Sequence, residues 1–407
     1  MAHFHSHSRT HGEGCTIEHD GGHIEHKPTR VPPIRLPANK PITTLASLKE
    51  HLHAAMGLEL STIPLYLFGV YSIVQPDGVD GFPNEPARTI LDVVIEEMLH
   101  LALSGNILRA VGGTPVAYGA NVVPKYPSFM AGRVPPLPFE LRQATQENIS
   151  TFVQVELPEP KDAPPESDEY QTIGQFYAAI TLGLQTLNAS LPTLFDPDLL
   201  PYQFPQSAYK KSNSGGLVDV VDLTSATQAI TTIVTQGEGN PRPWDDPEHD
   251  EKDHYDIFLD IFNSATLKWS TYPVLPNPSN EIYRKVAPDV YEVSRAFDAA
   301  YCYLLLTVQY LWQLKDGSER NAVVGTNLFG LMRGVLTPIA KFLVKQPLGR
   351  SSFVAAPCFE YFDFGRGAVT PLEQLTALVE AAVKLYPDAT LLADAQKKVA
   401  ALIPVPL

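Results

Sequence analysis

Ile90-Leu-Asp-Val-Val-Ile-Glu-Glu-Met-Leu-His-Leu-Ala-Leu-Ser-Gly-Asn-Ile-Leu108 carries the reading of this chain. Ile90, Val93, Val94, Leu101 and Leu108 recur at the helical period, and Glu97, His100 and Ser104 interrupt the same face. The pattern predicts a helix over Glu85 to Val111, entered near Pro86 and stopped at Gly112-Gly113. Within it, Glu97-Met98-Leu99-His100 places a carboxylate and an imidazole three residues apart, so both aim at one point.

A second Glu-x-x-His, Glu251-Lys252-Asp253-His254, follows Asp246-Pro247, an N-cap and first-turn proline, and is backed by Phe258 and Ile261 on a helix running to about Thr266. Helical bundles that hold two iron ions use two such pairs plus one Glu from each of two further helices. The first of these is Glu59, in a helix predicted over Thr44 to Val74 whose stripe reads Leu45, Leu48, Leu52, Met56, Glu59, Ile63, Tyr66 and Val70. The second is Glu238, which extends the stripe Leu223, Thr227, Ile230 and Val234 of a helix over Leu217 to Gln236. Glu156 is its rival, on the apolar face of Ile149, Phe152 and Val153 in a helix over Ala144 to Glu156. The one not used as ligand is then a partner that fixes a histidine tautomer. Glu96 is expected to point away from the Glu97/His100 face and be solvated or capping, and the acidic surroundings of Glu251 also fit a solvated charge.

Buried carboxylates cost several kcal/mol unless paired or metal-bound, and no basic residue lies within a turn on these stripes. Two Fe(II) ions carry four positive charges, which Glu59, Glu97, Glu238 and Glu251 match, with neutral His100 and His254 completing the set. Mixed carboxylate and imidazole ligands suit iron, or manganese, better than structural zinc. Tyr66, Tyr71 and Tyr255 are candidate pocket residues, although helical tyrosines commonly serve the core.

Further helices are predicted over Thr172 to Asn188, Pro288 to Lys315, Glu319 to Lys345 and Pro371 to Leu385, with a shorter one near the C-terminus. No strand-period run competes, so the class is all-α: a four-helix bundle with additional C-terminal helices and long loops that absorb most of the 37 prolines. The division is a His-rich tail over residues 1–40 expected to lack structure, a metal-binding bundle with insertions over 41–280, and a C-terminal helical extension over 281–407 packed on the bundle. Seven of the 12 histidines fall in that tail.

A net charge of −15, with no basic run longer than Lys210-Lys211, excludes a nucleic-acid footprint. Three widely spaced cysteines, Cys15, Cys302 and Cys358, read as free thiols of a reducing compartment. The N-terminus lacks the apolar core of a signal peptide, and the longest near-apolar run, Ala299 to Trp312, is short of the roughly 20 residues a span requires, so a cytoplasmic protein with no membrane partner is expected.

Leu58-Glu-Leu-Ser-Thr-Ile-Pro-Leu-Tyr-Leu67, Ile95-Glu-Glu-Met-Leu-His-Leu101, Asn106-Ile-Leu-Arg-Ala-Val-Gly-Gly113 and Pro124-Lys-Tyr-Pro127 resemble the ferritin-like family named for iminophenyl-pyruvate dimer synthase. So do Val155-Glu-Leu-Pro158, Thr172-Ile-Gly-Gln-Phe-Tyr177, Gln236-Gly-Glu-Gly239, the stretch from Glu251 to Tyr255, and Pro357-Cys-Phe-Glu-Tyr361, so the similarity spans about Thr44 to Tyr361. The resemblance implies a ferritin-like bundle and ligand roles for Glu59, Glu97, His100, Glu238, Glu251 and His254. One departure is Gln175, where the family pattern often has Glu, which makes that position a weaker ligand or an outer partner. Some relatives are modules of enzymes that couple oxidised amino-acid imines in pigment biosynthesis, and by analogy with others haem stays open, although no axial ligand is marked here.

The function expected is that of an O2-dependent di-iron oxidase or oxygenase acting on a small organic, amino-acid-derived or secondary-metabolite substrate, with a homo-oligomer left open. The rivals are an iron-handling ferroxidase and a structural module with a degenerate site.

Overall fold

The computed structural model describes residues 16–19, 22–25, 40–76, 81–130, 137–158, 170, 172–209, 216–237 and 252–407. The bundle begins with two long helices, α1 (Leu45–Ser72) and α2 (Glu85–Ala110), which make the most extensive helix pair among the described residues. Thr44 caps α1 by accepting from the Ser47 N–H at 3.2 Å. At the far end of α2, Gly112 adopts φ +73° and the Gly113 N–H bonds the Leu108 carbonyl at 2.8 Å, while the Gly112 N–H bonds Arg109 at 3.0 Å. That pair of bonds is a Schellman closure, and it is why the glycine stop ends the helix. Lys49 of α1 then donates to the Gly112 carbonyl at 2.7 Å, pinning this end to its neighbour.

The remaining bundle elements are shorter: α3 (Gln146–Val155), α4 (Ile173–Ser190), α5 (Leu223–Gln236) and α6 (His254–Asn263). Helix α4 touches α1 and α5, α5 packs on α2, and α6 packs on α3 and α2, so all six converge on the middle of α1 and α2. Helix α6 starts later than the sequence predicts. Its first residue is His254 and its N-cap is Asp253, whose side chain accepts from the Asp256 N–H at 2.9 Å. Lys252 and Asp253 are not helical, so the i, i+3 argument for Glu251 does not carry over. Asp246-Pro247 lies outside the described residues, as do Glu238 and Glu251 themselves.

Beyond the bundle, α7 (Asn280–Val286), which periodicity missed, leads into α8 (Pro288–Leu311). Ser318–Leu343 is helical throughout but widens into π turns at Val324–Leu328 and Met332–Leu336, and Pro371–Leu385 and Thr390–Val399 close the chain. These elements join the bundle through buried contacts. A Cβ on Gly105 of α2 would stand 2.2 Å from the Trp312 ring, and the Trp312 indole N–H donates to Asn106 Oδ1 at 3.1 Å. Phe297 of α8 packs edge-on against Tyr71 of α1.

The little strand present is short. Ser128–Phe129 pairs with Pro138–Phe139, and within the tail expected to lack structure, Thr16–His19 pairs antiparallel with Gly22–Glu25. The rest of that tail, with Cys15, lies outside the described residues, while Cys302 and Cys358 are buried free thiols. Contrary to the reading of apolar run lengths, Leu45–Ser72 and Ser318–Leu343 are long and apolar enough to cross a membrane. Most of the apolar window of Leu45–Ser72 is buried in the bundle core, and less than half of the other is.

Candidate metal centre

Four helices deliver a ring of buried acids and imidazoles to one place. Glu59 from α1, Glu97 and His100 from α2, Glu156 at the C-cap of α3 and His254 at the first position of α6 are each at most 4% exposed. Their ligating atoms form two groups, Glu59–Glu97–His100 and Glu97–Glu156–His254, with all atoms of a group within 4.8 Å of one another. Glu97 belongs to both.

The two imidazoles face inward by the same nitrogen. His100 Nδ1 lies 3.6 Å from Glu59 Oε2 and 4.0 Å from Glu97 Oε1, and His254 Nδ1 lies 2.8 Å from Glu97 Oε1 and 3.8 Å from Glu156 Oε2. The rings stack at 5.5 Å between centroids and 26° between planes. Each outward Nε2 is held by an acceptor: His100 donates to Gln236 Oε1 at 3.0 Å, and His254 to Glu96 Oε2 at 3.0 Å. With Nε2 carrying the proton, each Nδ1 turns a lone pair into the carboxylate ring.

The carboxylates are themselves oriented. The Tyr177 hydroxyl of α4 donates to Glu59 Oε1 and is 3.0 Å from the Ser104 hydroxyl. The Tyr66 hydroxyl donates to Glu156 Oε1, and Thr62 donates to Glu97 Oε2 at 2.7 Å. Burial pushes both phenols well above their usual pKa, and the adjoining carboxylates add to the effect, so they remain donors at any neutral pH.

A fit to cations rests on what this arrangement lacks. His254 Nδ1 is buried and meets no acceptor with hydrogen-bond geometry, although a carboxylate oxygen is 2.8 Å away. Burial lifts Glu97 to a pKa of about 7, reinforced by the charges of Glu156 and Glu59 and opposed by His254. Burial resists protonation of His100 and His254, but their carboxylate neighbours outweigh it and raise both. The ring therefore holds onto protons when no other positive charge is present, as expected of a site whose negative charge awaits a cation. Glu59, Glu97, Glu156 and Glu96 supply four negative charges among the described residues, the number that two divalent ions neutralise. Oxygen and imidazole donors in this ratio fit iron or manganese.

The cavity beside the ring is lined by Glu59, Thr62, Glu97, His100, Glu156 and the backbone of Gly174 and Gly237, and has about 20 Å3 of room, enough for a water or an ion.

The structure thus brings together Glu59, Glu97, His100 and His254, all named from sequence, and adds Glu156, which the sequence ranked behind Glu238. Glu238 and Glu251 lie outside the described residues. Glu96, expected to be solvated, instead bonds His254. It sits on α2 one residue from Glu97, and the approach of α6 brings His254 to it. Gln175 is absent from the cavity lining, whereas Ile173 and Gly174 beside it line the cavity and Tyr177 of the same helix reaches Glu59. Nothing in the sequence marks Tyr177, Thr62 or Gln236, because a hydroxyl or amide on an apolar face is common in any core. Of the candidate tyrosines, Tyr66 reaches the site, while Tyr71 packs among Phe82 and Phe297.

The chain is 25% identical over 389 residues to dichlorochromopyrrolate synthase of Lentzea aerocolonigenes, covering 81% of this chain and 37% of that protein. It is 25% identical over 402 residues to 2-imino-3-(indol-3-yl)propanoate dimerase of Chromobacterium violaceum, covering 88% of this chain and 38% of that protein. The chain therefore spans less than two fifths of the length of either relative. A solved ferritin-like protein from Caulobacter vibrioides aligns with 23% identity and a TM-score of 0.49, over 73% of this chain and 96% of that one. The profile of the Ferritin-like family matches residues 52–263, which include every member of the carboxylate ring, and the chain belongs to that family.

Proposed function

We propose that this protein is a two-metal, O2-dependent oxidase or oxygenase acting on a small organic substrate, with iron as the metal and manganese as the alternative. The observation that carries the reading is Glu97, shared between two buried carboxylate–histidine groups. A shared carboxylate between two such groups suits a pair of ions, and a bound pair of iron ions supplies the capacity to activate O2.

The chain's own residues define how such a centre is held. Glu59 with His100 would hold one ion and Glu156 with His254 the other, and Glu97, which belongs to both groups, would serve both. Tyr177 and Tyr66 fix the outer carboxylates, Thr62 fixes the bridge, and Gln236 and Glu96 keep both histidines in the tautomer that presents Nδ1. Leu58, Ile173, Ile233 and Val234 wall the cavity and keep bulk water from the charges, which strengthens every interaction within it.

The curated relatives are named for chromopyrrolate formation and for dimerisation of an indolyl imino acid, so an imine derived from an aromatic amino acid is the substrate class to test first. The described cavity of about 20 Å3 admits a water or O2 and no indole ring, so such a substrate requires the cavity to enlarge. The same small cavity favours a second reading, oxidation of Fe(II) itself with no organic substrate.

One experiment separates them. The protein, loaded with Fe(II) without air, is exposed to O2 with and without an imine generated in place by an amino-acid oxidase. A centre that stays loaded with about two irons per chain and consumes O2 repeatedly only with the imine supports the enzyme. Release of Fe(III) or mineral growth supports the ferroxidase, and failure to bind iron removes both.

A further inference from the structure

The two halves of the carboxylate ring share one plan and differ in what backs their histidines. In each half an outer glutamate accepts a tyrosine hydroxyl, Glu59 from Tyr177 and Glu156 from Tyr66, and each half shares Glu97 and presents one histidine by Nδ1. The difference lies behind the histidines. His254 Nε2 donates to the Glu96 carboxylate, whereas His100 Nε2 donates to the Gln236 amide, both at 3.0 Å.

A carboxylate acceptor pulls the Nε2 proton harder than an amide and adds a full negative charge, so the opposite nitrogen becomes a stronger donor to a cation. An amide holds the tautomer without that increase in basicity. A second observation points the same way. The cavity beside the ring is lined by all three glutamates, Glu59, Glu97 and Glu156, but of the two imidazoles it reaches His100 and not His254, so the Gln236-backed histidine is the one a solvent-sized molecule meets. His254 is fully buried, and its Nδ1 lies in closer reach of Glu97 than His100 Nδ1 does, 2.8 Å against 4.0 Å.

We propose that the centre is unequal: the Glu97–Glu156–His254 half, backed by Glu96, takes up a divalent transition-metal ion first and holds it tightly. The Glu59–Glu97–His100 half, backed by Gln236, binds its ion weakly, exchanges it, and is the half that a small exogenous molecule approaches. Glu96 and Gln236 are positioning residues that set this order. The inference rests on the two-metal reading above.

The test is an anaerobic titration of the metal-free, full-length chain with Co(II), followed by its visible absorption in competition with a chelator. The wild type is expected to show two steps separated by at least tenfold in affinity. His100→Ala should keep the tight step and lose the weak one, and His254→Ala should do the reverse. Glu96→Gln keeps a hydrogen-bond acceptor on a side chain that is a quarter exposed, so folding is retained. It should weaken the tight step about 10- to 100-fold and leave the weak one in place. Gln236→Glu should tighten the weak step, a gain that a merely structural role for Gln236 would not produce.

Two equal steps in the wild type, loss of the tight step in His100→Ala, or a Glu96→Gln protein that binds as the wild type does would overturn the inequality while leaving the two-metal centre standing. A wild-type chain that takes up no Co(II) at all overturns the centre and the inequality together.

Discussion

Glu97 Oε1 lies 2.8 Å from His254 Nδ1, although Glu97 shares its helix with His100 and is separated from His254 by the whole of α3, α4 and α5. One carboxylate thereby serves an imidazole on its own helix and another brought in by a distant one.

Glu97→Gln is expected to remove metal from both halves rather than from one. The amide keeps the Thr62 contact but would no longer offer a carboxylate to both groups, so bound iron should fall below half an atom per chain while far-ultraviolet circular dichroism is unchanged. Elemental analysis after anaerobic loading checks this, and retention of one full ion would contradict the shared role.

The choice between Glu156 and Glu238 is open to the same measurement. Glu156→Gln is expected to lose the ion associated with His254, because its Oε2 lies 3.8 Å from that Nδ1. Glu238→Gln is expected to keep its metal; the opposite result would restore the order preferred from sequence.

Tyr177→Phe should destabilise the metal-free protein by about 1–3 kcal/mol, since Glu59 Oε1 loses its donor in a buried setting. Ser104→Ala, which removes only the outer end of that chain, should cost about 0.5–1.5 kcal/mol. Urea unfolding of both variants without metal ranks them; an equal cost would mean that the phenol, not its charge partner, sets the effect.

Gly105→Ala tests how the C-terminal helices are joined to the bundle. The added Cβ meets the Trp312 ring at 2.2 Å, and Trp312 is held by its bond to Asn106, so overpacking of about 1–3 kcal/mol is expected. A lowered Tm with a single transition would show that both parts melt together.

Away from the metal centre, Asp298 of α8 is buried and accepts from Asn280 Nδ2 at 2.6 Å and from the Glu360 N–H at 3.1 Å. Burial raises its pKa well above the usual range, Glu360 adds to the rise, and the hydrogen bonds only partly offset it. A carboxyl whose pKa is raised on folding contributes stability that is fully present below its unfolded value, near 3.9, and is lost as pH rises through the folded value. Asp298→Asn removes that ionisation, so the fall in Tm between about pH 5 and pH 8 should be smaller in the variant than in the wild type. Parallel Tm curves would contradict the assignment.

Much of the bundle was legible because helical period and stop signals are local. The Leu48, Leu52, Met56 and Ile63 stripe places Glu59 on the inner face of α1, and Gly112 ends α2 through its positive φ, whatever the rest of the chain does. The i, i+3 spacing puts Glu97 and His100 on one face for the same reason. Where the reading failed, the cause was not local. The start of α6 is set by Asp253, which caps as well as Asp246 by composition, and nothing in the neighbourhood of Glu96 reveals that an imidazole from another helix will meet it.

The amino-acid order by itself therefore determined an all-helical bundle with Glu59, Glu97 and His100 turned inward, because backbone geometry repeats every 3.6 residues and hydrophobic burial selects one face. Only tertiary packing decided that Glu156 closes the second half, that Tyr66 and Tyr177 hold the outer carboxylates, and that a carboxylate backs one histidine and an amide the other. Those pairings join residues 90 to 158 positions apart, and their geometry follows from how the helices dock rather than from any spacing along the chain.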